Sequence, residues 1–172
     1  MNSESKNAAI SECLSFDRVC ELFDYDAKRG RLVWRVDVSN IKKGRTAGTV
    51  NGARGYRQIR VDKRVVMEHR LVWLRVYGAF PKGEIDHING DHGDNRIENL
   101  RDVSAGVNMQ NLRVPRRTNK IGLLGVTRSG KRFRATIRTN GKAKYLGSFD
   151  TPDEAHEAYI NAKRSMHVGC TI

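Results

Sequence analysis

The sequence predicts an α+β fold built from small modules, and three observations lead to this prediction. Some segments place apolar residues three or four positions apart, as on one face of a helix. Other segments alternate between apolar and polar residues, as in a half-buried strand. Apolar residues make up 38% of the 172 residues, which is enough for modest cores but favours small modules over one large core.

The first half of the chain is predicted to form short helices and strands separated by turns. Residues 1–10 are polar, and we expect a flexible tail. Leu14, Val19 and Leu22 lie near helical spacing and indicate a first helix. In order, the predicted elements are a helix at 14–23, a turn at 24–30, strands at 31–36, 47–50 and 56–61, and a helix at 66–77 that ends at Gly78.

Three short strands and one helix are predicted in the last third of the chain. The Asn140-Gly141 pair between two alternating runs is a strong hairpin signal. Thr151 can cap the following helix, with Pro152 at its first position and Glu154 completing a capping box. The module is therefore predicted to be a three-stranded antiparallel sheet with one helix, and its strands are expected at 124–127, 133–139 and 144–149.

Composition and charge favour a nucleic-acid partner. The formal charge is +13, and between Arg113 and Leu146 there are eleven basic residues and no acidic one, a stretch that should attract polyanions. A solvated basic surface is the alternative. No apolar run is long enough for a membrane helix and the first residues do not resemble a secretory signal, so we expect a cytoplasmic protein that is not secreted. Three cysteines without a CxxC pair disfavour a disulfide framework or a four-cysteine zinc site.

The polar segment 84–101 carries residues suited to phosphodiester hydrolysis. A strand, a polar loop, a second strand and a short helix would bring Asp86, His87 and Asn108 within reach of one another. A hard cation such as Mg²⁺ prefers oxygen ligands, which Asp86 and the amide of Asn108 provide. His87 suits a general base because imidazole titrates near neutral pH, and Asn99 can accept from its second ring nitrogen and fix the tautomer.

The segment DHINGDHGDNRIENLR, which starts at Asp86 and is followed by Asn108, resembles the HNH, or ββα-metal, endonuclease motif. It is most similar to the form found in phage and homing endonucleases. The upstream segments HRLVW and DYDAKRGRLVWRV also resemble those of phage members of this endonuclease family, so the resemblance spans about residues 14–112. It implies that Asp86 and Asn108 bind a divalent metal ion, either Mg²⁺ or Mn²⁺. It also implies that His87 is the general base and that Asn99 orients it.

Residues 124–168 resemble the plant ethylene-response-factor (APETALA-type) DNA-binding domain. The matching segments are SGKRFRATIR and YLGSFDTPDEAHEAY. In that family a three-stranded sheet enters the major groove, and exposed arginine and aromatic side chains touch the DNA. Phe133 and Tyr145 stand where the plant domain typically has tryptophan, so its base preferences do not transfer. The candidate DNA-contacting residues are Arg128, Arg132, Arg134, Arg138, Lys144 and Tyr145, with Arg57 and Arg60 of an earlier strand as further phosphate contacts.

We therefore predict a metal-dependent DNA endonuclease with two domains. The nuclease is expected at 11–112, with its ββα-metal core at about 69–112, and a basic linker at 113–122 joins it to a DNA-binding domain at 123–172. Double-stranded DNA is the expected partner. One active site per chain favours a nicking monomer, and a dimer that cuts both strands is the alternative. Two other functions stay open: a DNA-binding regulator that does not cleave, and a structural RNA-binding protein.

Overall fold

The computed structural model describes residues 14–172, and its fold is of the α+β class that the sequence predicts. Within these residues there are four α-helices, one short 3₁₀ helix and four small antiparallel sheets. The tail predicted at 1–10 lies outside the described residues. Of the helices that the structure describes, none is both long and apolar enough to span a bilayer. The chain forms two compact units, one ending at Ser104 and the other running from Ala105 to Ile172.

The elements of the first unit are short helices and small sheets. They are α1 (Phe16–Leu22), β1 (Phe23–Asp26), β2 (Arg31–Trp34), β3 (Thr49–Asn51), β4 (Tyr56–Val61), β5 (Arg64–Met67), α2 (Glu68–Tyr77), β6 (Glu84–His87), the 3₁₀ helix (Ile97–Asn99) and β7 (Leu100–Val103). The second unit holds α3 (Ala105–Gln110), β8 (Val126–Ser129), β9 (Arg132–Thr139), β10 (Lys142–Phe149) and α4 (Pro152–Met166).

The core of the first unit forms around α2, which contacts β2, β4, β5 and α1. Phe23 and Trp34 pair across the β1–β2 hairpin, and their ring centroids lie 4.5 Å apart. Phe23, Leu32 and Leu71 are fully buried in this core. Because this apolar packing fixes α2 against the sheets, it also fixes Glu68, the first residue of α2.

The β1–β2 hairpin corrects one prediction from the sequence. Residues 24–30 were predicted to form a turn, but β1 runs to Asp26 and pairs with β2, so the turn is confined to 27–30. The physical reason is Phe23, whose burial against Trp34 places the polar residues that follow it in a strand. An apolar contact across the hairpin thus overrides the local turn signal.

The helix predicted over 66–77 begins at Glu68, because Val66 and Met67 belong to β5 and pair with β4. A β-branched residue such as Val66 packs well in a strand, which favours this boundary. The predicted end at Gly78 is confirmed: Gly78 has a φ of 75°, a left-handed conformation that glycine adopts readily. The junction places Glu68 where a sheet meets a helix.

The second unit contains the three-stranded antiparallel sheet and the helix that the sequence predicts. β9 is the central strand, between β8 and β10. Ala135 and Ile137 of β9 and Ala155 of α4 are buried, and α4 contacts all three strands. Thr151 and Glu154 form the predicted capping box at the start of α4. The local signals of this module therefore predicted its elements in the correct order, although β8 begins at Val126, two residues later than expected.

The two units divide at Ser104–Ala105, whereas the sequence analysis places a linker at 113–122. The short helix α3, which carries Asn108, is therefore grouped with the C-terminal sheet. The domain boundaries expected from the sequence stay a proposal.

Gly125→Ala should destabilise the second unit more than Gly130→Ala does. Both glycines have a positive φ, 73° and 62°, so each substitution carries the cost of a left-handed alanine. At Gly125 the new Cβ would collide with the ring of Tyr159, whereas at Gly130 no described atom lies within 4 Å. We expect Gly125→Ala to lower the free energy of unfolding by about 1–3 kcal/mol more than its partner variant, as overpacking typically does. Urea unfolding measures the difference, and equal losses would show that Tyr159 moves aside freely.

Candidate active site

Asp86 and His87 lie next to each other at the end of β6 and are both buried. Asp86 is 5% exposed and His87 is 2% exposed. The β6–β7 register pairs Asp86 with Arg101 and His87 with Leu100. Buried ionisable groups are stable only when they are neutral or held by partners, because desolvation penalises a charge. The partners of this pair therefore decide what the site can do.

Arg101 holds the carboxylate of Asp86 from the neighbouring strand. Its Nη2 and Nε atoms lie 2.6 Å and 2.8 Å from the same oxygen, Oδ2. A carboxylate is the hard oxygen donor that Mg²⁺ takes, so Asp86 has the chemistry to bind a divalent cation, and its carboxylate would then be shared between that cation and Arg101. Within residues 14–172 no group of three or more histidine, cysteine or acidic side chains could hold a metal ion.

A buried hydrogen-bond chain runs from His87 through Asn95 to Glu68. The Nε2 atom of His87 lies 3.0 Å from Oδ1 of Asn95, whose Nδ2 donates to Oε2 of Glu68 at 3.2 Å. Asn95 and Glu68 are both fully buried. The other carboxylate oxygen of Glu68 accepts from the backbone nitrogen of Leu32 at 3.1 Å. Asn95 and Glu68 were not predicted from the sequence, since no local pattern sets them apart from other polar residues.

Arg57 completes this chain and has a role other than the predicted DNA contact. Its Nε donates to Oε2 of Glu68 at 2.8 Å, and its Nη2 donates to the carbonyl oxygens of Ala47 and Gly48. Its side chain is only 16% exposed. Because its guanidinium is already engaged by this ion pair and by two carbonyl oxygens, the structure favours a structural role for Arg57, and its phosphate contact stays a prediction. Arg60, on the same strand, is exposed and stays a candidate for phosphate contact.

Asn99 closes the loop after β6, whereas the sequence predicts that it contacts the ring of His87. Its Oδ1 accepts from the backbone nitrogen of Asn89 at 2.9 Å, and its Nδ2 donates to the carbonyl oxygen of Asp94 at 2.8 Å. The neighbouring amide, Asn95, is the one that meets the ring nitrogen. Asn99 therefore shapes the loop that carries Asn95.

Several aromatic rings surround the buried imidazole of His87. The centroids of His69, His92 and Tyr56 lie 5.3, 5.5 and 6.0 Å from that of His87, and Tyr56 stacks on His92. Burial lowers the pKa of His87, although the hydrogen bond to Asn95 partly opposes this shift. Burial, and secondarily the nearby His87, lowers the pKa of His69 to about 3. Both rings are therefore neutral at pH 7, the state in which an imidazole can accept a proton.

Asn108 lies on α3 in the second unit, and the residues that follow α4 hold this short helix. The backbone nitrogen of Gly169 donates to the side chain of Gln110 at 3.0 Å. The hydroxyl of Thr171 bonds the side-chain oxygen of Asn111. The position of Asn108 thus depends on contacts that span 59 and 60 positions of the sequence.

The predicted DNA-contacting arginines of β9 share an exposed face. Arg132, Arg134 and Arg138 are exposed, whereas Ala135 and Ile137 between them are buried. Alternate residues of a strand point to opposite faces, so the arginines point away from α4. This pattern agrees with the shared face that strand alternation predicts.

The other candidates of the C-terminal sheet divide between its two faces. Tyr145 lies on the arginine face, since its ring is 5.8 Å from the guanidinium of Arg134. The strand register pairs Arg128 and Lys144 with Phe133 and Ile137, which alternate with the arginines of β9. The side chains of Arg128 and Lys144 therefore leave the sheet on the face opposite to that of the β9 arginines. The structure brings four of the six candidates together, namely Arg132, Arg134, Arg138 and Tyr145.

His69→Leu should flatten the dependence of folding stability on pH below pH 6.5. The pKa of His69 is about 3 in the folded protein, well below the ordinary 6.5. Between these values the unfolded chain binds a proton that the folded chain does not. Wild-type stability should therefore fall with decreasing pH by up to about 1.4 kcal/mol per pH unit from this group. Urea unfolding from pH 8 to pH 4.5 measures both slopes. Above pH 7 the two curves should be parallel, and parallel curves at every pH would contradict the account.

Comparison with known proteins supports the assignment of the segment around His87. A family model described as HNH endonuclease matches residues 66–110, a range that includes Glu68, Asp86, Asn95 and Asn108 as well. The chain is 32% identical to Protein 3.8 of Escherichia phage T7 over 102 residues, which cover 58% of this chain and 83% of the phage protein. No solved structure matches the chain. The chain therefore belongs to the family of the phage T7 Protein 3.8 and contains an HNH endonuclease domain at residues 66–110.

Proposed function

We propose that the protein is a metal-dependent endonuclease that hydrolyses phosphodiester bonds in duplex DNA, one strand at a time. The observation that carries this proposal is a neutral, buried His87 beside the carboxylate of Asp86 within an HNH domain. A neutral imidazole is a proton acceptor, and an adjacent carboxylate is a donor for a hard cation. Together the two groups can take a proton from water and hold a cation at the phosphate.

In the proposed reaction His87 accepts a proton from the attacking water. The oxygen of that water forms a bond to phosphorus while the bond between phosphorus and the 3′ oxygen breaks. The products are a 3′ hydroxyl, which takes its proton from solvent, and a 5′ phosphate. Asn99 contributes indirectly, because it shapes the loop that carries the partner of His87.

Asp86 and the amide oxygen of Asn108 are the proposed ligands of the cation, with Mg²⁺ as the first expectation and Mn²⁺ as the second. Their pairing rests on the spacing of the motif and on the family resemblance, since the two residues belong to different units. A bound divalent ion supplies charge neutralisation at the phosphate and at the leaving oxygen.

A second part of the proposal is that the C-terminal sheet, within a domain at 123–172, binds DNA. The arginine face of β9 is exposed, and the stretch from Arg113 to Leu146 contains no acidic residue. A guanidinium can grip a phosphate or pair with guanine, so such a face suits a duplex. Arg60 on β4 is proposed as a further phosphate contact, because it is exposed and Arg57 is not.

A DNA-binding regulator that does not cleave is the second candidate function. The exposed arginine face favours it, because this surface needs no chemistry at His87. Such a protein would bind DNA equally well with and without a divalent cation and would leave the strands intact.

The purified protein should nick supercoiled DNA in the presence of Mg²⁺ but not in EDTA. His87→Ala should reduce the nicking rate by about 100-fold or more, the contribution of a general base. His156→Ala is the matched control, since His156 contacts the carbonyl oxygen of Leu124 in the second unit and should leave the rate unchanged. Agarose gels report the conversion of supercoiled to open-circular DNA. Binding without any cleavage, in either Mg²⁺ or Mn²⁺, would favour the regulator.

Arg134→Ala should weaken DNA binding and reduce its salt dependence more than Lys144→Ala does. Both side chains carry one positive charge, but only Arg134 lies on the proposed DNA-binding face. Loss of one phosphate contact lowers the slope of log K against log salt by about 0.9. Fluorescence anisotropy with a duplex at several salt concentrations measures this slope. Equal effects of the two variants would argue against the arginine face as the binding surface.

A further inference from the structure

We propose that Asn95 and Glu68 are positioning residues that fix the tautomer of His87, with the hydrogen on Nε2 and the lone pair on Nδ1. The catalytic meaning of this inference rests on the proposed nuclease function. The tautomer itself is a property of the folded chain that can be measured without any cleavage assay. Neither residue contacts the DNA in this proposal, because both are fully buried.

The carboxylate of Glu68 is surrounded by three hydrogen-bond donors. It accepts hydrogen bonds from the backbone nitrogen of Leu32 at 3.1 Å and from Nε of Arg57 at 2.8 Å. Its third partner is the side-chain amide of Asn95, at 3.2 Å. A carboxylate that is paired with a guanidinium can only accept. Asn95 must therefore turn its NH₂ group toward Glu68.

The side-chain amide of Asn95 donates from its NH₂ group and accepts at its oxygen. With its NH₂ group on Glu68, Asn95 presents only its carbonyl oxygen to Nε2 of His87, 3.0 Å away. A carbonyl oxygen cannot donate, so Nε2 must carry the hydrogen. A neutral imidazole has one ring hydrogen, which leaves Nδ1 as the acceptor. The nitrogen that can take a proton from water is thus assigned to Nδ1.

The reverse arrangement is disfavoured at every link of the chain. If the amide of Asn95 rotated, its oxygen would face the carboxylate of Glu68, and two acceptors would meet in a fully buried place. Glu68 cannot turn away either, because Arg57 and Leu32 hold its two oxygens. Arg57 is itself held by carbonyl oxygens of the preceding loop. The orientation of His87 is therefore set by a residue 19 positions before it in the sequence.

Nuclear magnetic resonance of the ¹⁵N-labelled full-length protein tests the assignment directly. Long-range ¹H–¹⁵N correlation spectra distinguish a protonated from an unprotonated ring nitrogen, at a pH where the imidazoles are neutral. We expect His87 to carry its hydrogen on Nε2. His156 is the internal control for the opposite tautomer, because its Nδ1 faces the carbonyl oxygen of Leu124 at 3.0 Å. A wild-type His87 with its hydrogen on Nδ1 would overturn the proposal.

Glu68→Gln is the informative variant, because glutamine fills the same volume but lacks the negative charge that keeps the amide oxygen of Asn95 away from this position. Without that charge the preference for one orientation of Asn95 is weakened, and His87 should change to the Nδ1-protonated tautomer or to a mixture. Asn95→Leu, which removes the acceptor at similar volume, provides a second variant should Glu68→Gln fail to fold. The spectrum of His156 should stay unchanged in both. An unaltered His87 tautomer in folded protein of both variants would contradict the proposal.

The kinetic consequence separates positioning from a merely structural role. Glu68→Gln should lower kcat by about 10- to 100-fold, the usual effect of losing a partner that orients a functional histidine, and should leave KM for DNA unchanged. A rise in KM with unchanged kcat would overturn the positioning role. A wild-type protein with the expected tautomer but without cleavage would support the tautomer assignment and overturn the nuclease proposal.

Discussion

A buried carboxylate must have its oxygens satisfied by donors, and at Glu68 this requirement determines how the first unit is assembled. Its donors come from β2, from β4 and from the loop after β6, while Glu68 itself begins α2. Four parts of the chain thus meet at one side chain. The same requirement explains why Arg57 lies inside the unit instead of on its surface, since an unpaired carboxylate there would be far more costly than a paired one.

The proposed catalytic residues and the excess of basic residues lie in different parts of the sequence. Residues 69–112, which carry Asp86, His87 and Asn108, contain five basic and six acidic residues, whereas the remainder accounts for the whole excess of +13. Affinity for a polyanion falls off with salt and does not depend on close geometry, so it can be supplied by an exposed face such as that of β9. Proton transfer needs a fixed geometry, which the buried chain behind His87 provides.

Local signals in the sequence were sufficient for much of the fold but not for the partners of the site. The capping box at Thr151 and the helix end at Gly78 were predicted correctly, because each depends on residues a few positions apart. Asn95 and Glu68 were missed because their contact spans 27 positions and neither residue belongs to a local pattern. The spacing of the asparagines also did not indicate which side-chain amide contacts the ring of His87. The sequence predicts Asn99, whereas the structure has Asn95 there. For Arg57 a signal existed: strand alternation placed it on the same face as the buried Ile59 and Val61.

The central claim is that the buried hydrogen bonds from Glu68 through Asn95 affect catalysis by orienting His87. A double-mutant cycle on nicking rates tests this claim most directly. The rates of wild type, Asn95→Leu, His87→Ala and the double variant would be measured under single-turnover conditions with saturating protein. If Asn95 acts only by orienting His87, Asn95→Leu should slow the wild type but add nothing once His87 is absent, so the two effects will not be additive. An equal fold-loss in both backgrounds would contradict the claim, since it would mean that Asn95 supports the reaction by a route that does not involve His87.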